Sequence, residues 1–589
     1  MPSSPANRLV VLTLAALTTG GAALAQPVGQ PMPLGPPGAA EPGSAPNVLK
    51  VVPSPVLDTQ PTKPMANGET RFQMEELKAP DLDAIGTLDD KQGGLGAAMW
   101  HGTPAALVRQ LLPQLPAVAG SRVMRSLERR LLLSAATPPD GGKGQTPPLL
   151  ELRAERLYAM GEIDGLAGLL KSAPSSVSSP GLTRIKIDTF LLAGDVKAAC
   201  AEAATLTGAI DPRMQAFCML NNGKVLEANM ALDLMRERKD ADHAFIAAAE
   251  AMAGTPPARV DKLPNPTPLH LAAFKAAKMP LPADAANASH PATLRAIAEA
   301  PGLPVDIRIP AAEKAESLGV LETDSLRRIY GAVTLTPAEQ QAAQTQGDKT
   351  PRSRVLLLRA AQQEQTPSIR AELIARILAA AAERGAYSGT ARLYAPIIAD
   401  LRPNPDLAPF APAMARALYA AGRPEAAGAW SAIAKSDPST ARAADDLWAL
   451  ARINRMGDAA MTAPETYGAW LSARELPADQ AERRATVAFD LLQAIGEKVP
   501  ALEWLAAPHG PHPVQPVPVR ADVKALLRSA AEGLRTGETV MLALAALGEG
   551  GLDKADPDLL NRVVAYLRLV GLTQEARDLA VEAALANGV

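Results

Sequence analysis

The sequence predicts an all-α protein of many short helices, and three observations carry that expectation. Hydrophobic residues fill 47% of the 589 positions but aromatics only 3%, the apolar share being mostly Ala and Leu. Alanine has the strongest helix propensity, whereas β-branched and aromatic residues favour strands. Second, 54 prolines and 43 glycines break the chain too often for long coiled coils. Third, Leu152 to Arg238 reads as consecutive helices separated by tight turns at Gly161, Gly194 and Gly223.

Residues 1–25 have the pattern of a secretory signal peptide. Arg8 supplies the positive start, Leu9 to Thr19 is a short uncharged apolar run, and Ala23-Leu24-Ala25 is a small-x-small site that predicts cleavage between Ala25 and Gln26. The run is shorter than the roughly 20 residues a membrane helix needs. No later stretch is long and apolar enough, so stable membrane insertion after cleavage is not expected. Residues 26–70 are dense in Pro, Gly, Ala and Ser, a composition that buries too little apolar surface to order itself. A helical unit is expected over 71–148. Within it, Asp89 to Gly94 resembles a calcium loop only superficially, lacking the spaced oxygen ligands and closing Glu. The basic cluster Arg125 to Arg130 is expected to be the solvated face of a helix. With 59 basic and 62 acidic residues, net charge −3, the chain offers no basic stripe for nucleic acid.

A helical repeat block over 149–254 holds the only two cysteines, Cys200 and Cys218, on helices either side of a turn near Gly208 to Asp211. In an exported chain two cysteines favour one disulfide. The small neighbours Ala198, Ala199, Ala201 and Ala216 allow the backbones to approach closely enough for one; two free buried thiols are the alternative. Leu150, Ala154, Leu157 and Tyr158 fall on one helical face, as do Leu226, Met230 and Leu234, and both faces are expected to point inward. Residues 255–310 are Pro-dense and predict a connector with short helices near 269–278 and 292–300, prolines marking starts and stops. A second helical repeat block is expected over 311–589, lined near its end by Leu560, Val563, Val564, Leu567 and Val570.

The glycine turns recur. Gly161 and Gly194 are 33 residues apart, Gly194 and Gly223 29, Gly385 and Gly422 37, Gly422 and Gly457 35, and Gly571 closes a similar segment. A helix–turn–helix unit returning near 34 residues is the tetratricopeptide period. The segments LYAMGEIDGLAGLL, LLAGDVKAACAEAA, LYAAGRPEAAGAWSAIA and LRLVGLTQEARDLAVEAA resemble the end of helix A, the turn and helix B of tetratricopeptide-like repeats, over about 149–254 and 370–589. The early tryptophan is mostly missing and the closing proline inconsistent, so the resemblance implies a divergent α-solenoid of irregular helical hairpins. It also implies protein or peptide binding on a concave face, and carries over no binding residue.

The sequence holds few candidates for chemistry. His509 and His512 form a His-x-x-His without the further ligands a zinc site needs. His101 has no catalytic context. Phosphate-loop, dinucleotide and nucleophile-elbow motifs are absent. Glu316-Ser317 matches the pair that opens the catalytic motif of soluble lytic transglycosylases, but it lacks the downstream Gly-Leu-Met-Gln run. No catalytic, cofactor-binding or metal-binding residue is therefore assigned, and no cofactor is expected. The expected function is a non-enzymatic periplasmic or secreted scaffold binding an envelope protein or peptide, with Asn221, Asn222 and Asn229 as candidate groove residues. A cell-wall-acting enzyme with a divergent site and a structural envelope spacer are the alternatives.

Overall fold

Helices begin where the sequence offers a proline or a small polar cap, and many stop at a glycine. Ser121 opens the helix Arg122–Leu133 by accepting the Met124 amide, and Asp195 opens Val196–Ala203 through the Ala198 amide. Such caps satisfy amides that a helix start leaves without an internal partner. Pro180, Pro212, Pro291, Pro424 and Pro557 each stand at a helix start, where the missing N–H costs nothing. The structure is a computed structural model. It describes residues 81–589 except 143, 175–177, 207–209, 239–240, 343–346, 455–463 and 510–518. The export segment with its Ala25–Gln26 cleavage point, the Pro-rich stretch 26–70, Gly208, Gly457 and His512 lie outside the described residues.

All regular structure among the described residues is helical, apart from two isolated bridges, Leu88 to Ser134 and Pro104 to Asp140. Antiparallel neighbours pair across the predicted glycine turns: Leu149–Met160 with Ile163–Ser172, Pro180–Ala193 with Val196–Ala203, and Pro212–Asn221 with Val225–Arg236. The same unit returns as Pro367–Glu383 with Tyr387–Ala399, Ala411–Ala420 with Pro424–Ser436, and Pro557–Leu569 with Thr573–Ala586. At Gly161 the backbone has φ 75°, a left-handed conformation, and a Cβ there would stand 2.7 Å from the Ala292 amide nitrogen. Glycine is thus required both by the turn and by the close approach of the helix Pro291–Glu299. Cys200 and Cys218 stand at disulfide distance, with their Cα atoms 5.6 Å apart on neighbouring helices. No described helix is long and apolar enough to cross a membrane.

One buried apolar cluster extends from Leu95 to Val589. In a linear solenoid each repeat touches only its neighbours. Here the helix Arg122–Leu133 also packs on Thr536–Leu547 and Thr573–Ala586, more than 400 residues away in sequence. Ser121 donates its hydroxyl to Glu582, and Arg130 pairs with Glu575. The Gly537 amide donates to the Met99 carbonyl at 2.9 Å.

Three expectations are corrected. The charged run at Arg125 is not a solvated face: Arg125 is 4% exposed and Glu128 fully buried. The helix is packed by other elements on several sides, and its guanidinium finds carbonyl acceptors there. Leu226, Met230 and Leu234 are exposed, at 81%, 70% and 69%. Their helix instead buries Ala228, Leu232 and Met235, because the small Ala228 lets its neighbours approach on that face. Pro310 does not start a helix but lies inside Val305–Ser317; the missing amide falls near the helix start, within its second turn, and Ile307, Ile309, Ala311 and Ala312 are buried around it. The Pro-dense stretch 255–310 carries core residues as well, among them Phe274, Leu294 and Ile297.

Substituting Gly161→Ala is expected to destabilise the protein by about 1–3 kcal/mol, since it strains the turn and displaces Ala292; denaturant unfolding reads the change. Reducing the Cys200–Cys218 bond, or replacing both with Ala, is expected to lower stability by about 2–3 kcal/mol for a loop of this length. An unfolding midpoint indifferent to reductant would show that the pair does not staple the fold.

Candidate functional site

The main cleft is built from the middle and the end of the chain. Its walls are Val305–Ser317, Pro351–Gln363, Pro367–Glu383, Tyr387–Ala399 and the last turn of Thr573–Ala586. Its volume is about 860 Å³, within the range of sites that hold small molecules or short peptide segments.

Five arginines line it, Arg354, Arg384, Arg392, Arg416 and Arg474, against three carboxylates, Glu313, Glu316 and Asp348. Arg354 pairs with Glu313, which also accepts from the Tyr330 hydroxyl. Arg384 pairs with Asp348. Arg392 reaches Glu316 at 3.3 Å, while its Nε has no partner. Arg416 and Arg474 remain, and they share Asp446 with Arg484, which bonds it at 2.7 Å. Burial pushes the Arg416 guanidinium below its ordinary range, and the neighbouring Arg474 pushes the same way. Burial likewise brings Arg484 down to about 10. Tyr387 and Tyr394 also line the cleft. Burial raises both phenols, Tyr387 to about 12, so both are neutral donors.

Glu316-Ser317 lies in this cleft, yet its groups are already engaged. Glu316 Oε1 accepts from Arg122 at 2.8 Å, from the Thr323 hydroxyl at 2.8 Å and from Arg392. Ser317 donates to the Lys314 carbonyl. Both groups are thus committed to partners within the fold. Among the described residues Glu128 is a buried carboxylate with neither oxygen hydrogen-bonded, and it does not line this cleft. Its nearest cation, Arg156, stands 3.7 Å away, too far for a hydrogen bond.

The other sequence candidates are scattered. Asn221 spends its amide on the Phe217 carbonyl, Asn222 caps its helix, and Asn229 is exposed; none lines the cleft. The Asp89 carboxylate accepts from the Lys91 and Gln92 amides within a turn. His101 and His509 are exposed. Among the described residues no three His, Cys, Asp or Glu side chains are grouped to hold a metal ion. Apart from Glu316 and Ser317, the polar cleft residues were missed because they are spread from 313 to 474 over separate helices and turns, with no local motif. The fold and cleft define a class, an all-α protein of helical hairpins with an arginine- and tyrosine-lined groove. Comparison with family models, curated proteins and solved structures finds no match to this chain.

Glu128 generates a pH prediction. Burial raises its carboxyl from 4.5 to about 7 in the folded protein. The folded state then holds a proton that the unfolded state has lost, so this group's contribution to stability is full below 4.5 and is lost as pH rises through about 7. Glu128→Gln is expected to flatten this slope, gaining about 2–3 kcal/mol on wild type between pH 5 and pH 8. Urea unfolding of both proteins across that range measures the difference.

Proposed function

We propose that the protein is an exported, non-enzymatic scaffold that holds a protein or peptide partner in the cell envelope, with its hairpins arranged as a divergent tetratricopeptide-like solenoid. The observation that carries this reading is the main cleft. It is open, walled by paired helices, and furnished with guanidiniums and phenols rather than with a free acid–base pair. Helical hairpins suit such a task because they present side chains from several repeats to one extended ligand. The signal-like segment and the paired cysteines support a periplasmic or secreted location, since disulfides persist in oxidising compartments.

A photo-crosslinking residue at Ser388, in the cleft wall, tests this in cells. Capture of one defined envelope chain at Ser388, and none at the exposed Lys224, is the expected result. Capture of nothing, together with measurable cleavage of peptidoglycan by the purified protein, would overturn the scaffold. Recovery of the protein in the cytosol with residues 1–25 intact would overturn its location.

A further inference from the structure

We propose that the partner segment held in the main cleft is acidic, and that a carboxylate of it is taken by Arg416 and Arg474 beside the start of the helix Tyr387–Ala399. This rests on the scaffold reading above and adds the chemistry of the ligand.

The first ground is an unbalanced charge. Arg354, Arg384 and Arg392 each have a carboxylate of the cleft, Glu313, Asp348 and Glu316. Arg416, Arg474 and Arg484 have one side-chain carboxylate between them, Asp446. Arg416 Nη2 donates to the Val589 carbonyl oxygen at 2.8 Å, and Arg474 and Arg484 reach the Gly588 carbonyl. Among the described residues three guanidiniums thus share one side-chain carboxylate. Arg416 Nη1 makes no hydrogen bond among the described residues and is 3.9 Å from Asp446. Clustered buried cations repel one another, and an added anion relieves that repulsion.

The second ground is a set of donors without acceptors. The helix Tyr387–Ala399 starts in the cleft wall, and its cap residue Ala386 has no side chain able to accept. The first backbone bond of that turn is from Thr390 to Ala386, so the amides of Ser388 and Gly389 have no partner within the helix. A helix start favours negative charge. Glu316 stands near Gly389, its Oε2 3.0 Å from where a Cβ would lie. Arg416 lies over the Tyr387 ring, 6.0 Å from its centroid. The third ground is Tyr394. It is 2% exposed and lines the cleft. A neutral phenol in the cleft wall can donate to a peptide carbonyl or carboxylate.

The test is fluorescence anisotropy on the full purified chain, with three N-acetylated, dye-labelled peptides of one length. One alternates Glu and Ala, one Gln and Ala, one Lys and Ala. The Glu peptide is expected to bind about tenfold more tightly than the Gln peptide, and the Lys peptide not at all. Arg416→Gln should weaken the Glu peptide about tenfold and leave the Gln peptide unchanged. Because Arg416 also holds Val589, Tyr394→Phe serves as a second variant that leaves that contact in place. It should weaken the Glu peptide about threefold with an unchanged melting temperature. Equal binding of Glu and Gln peptides, no binding of either, or an Arg416→Gln or Tyr394→Phe protein that keeps full affinity would overturn the proposal. Displacement of the labelled peptide by free glutamate at equal concentration would make this a small-carboxylate site and overturn the peptide. Crosslink capture at Ser388 with no preference for the Glu peptide would leave the scaffold standing and remove only the acidic ligand.

Discussion

The structure depends on the burial of one charged helix, Arg122–Leu133. Its arginines act as struts between parts of the chain that are remote in sequence. Arg125 donates to the Gly319 carbonyl at 3.1 Å, to the Met160 carbonyl at 2.8 Å and to Glu162 at 2.9 Å. Arg122 reaches Glu316, and Arg130 reaches Glu575. Arg153, from the next helix, closes the other side by donating to the carbonyls of Leu132, Ile85 and Ser134. A guanidinium presents five donors in a rigid fork, so one side chain can satisfy several loop and helix-end carbonyls at once. Those carbonyls lie at turns, where the backbone has no helical partner. The early helix therefore joins the middle and the end of the chain through polar contacts, with apolar burial of Leu127, Leu131 and Leu132 beneath them.

The legible part of this fold was local. Gly161, Gly194, Gly223, Gly385, Gly422 and Gly571 all have positive φ, and each was readable because a left-handed turn leaves a glycine in the sequence. Cys200 and Cys218 were readable because two cysteines admit one pairing. What stayed hidden is set by long-range contact. Arg125 and Glu128 look like surface residues, since charged side chains are seldom fully buried; only the arrival of Met160, Glu162 and Gly319 reverses that expectation. The helix Val225–Arg236 is apolar on two faces, and sequence periodicity cannot say which one is covered. Leu226, Met230 and Leu234 lie on the uncovered one.

The candidate site was less legible than the fold. A catalytic motif concentrates unusual residues in one stretch, whereas this cleft draws arginines from five separate helices or turns. The pair Glu316-Ser317 was visible in the sequence and does lie in the cleft, where its carboxylate is already engaged. Arg122, Thr323 and Arg392 fix its carboxylate from three directions. Sequence sees the pair and not the three groups that hold its carboxylate.

Those same partners join the site to the closure of the chain. Arg122 belongs to the buried helix and Arg392 to the cleft wall, and both meet on Glu316. Ser121, one residue earlier, donates to Glu582 on the last helix, whose end also lines the cleft. The buried helix, the cleft wall and the last helix are thus tied together by polar contacts at two carboxylates, Glu316 and Glu582, rather than by apolar burial alone.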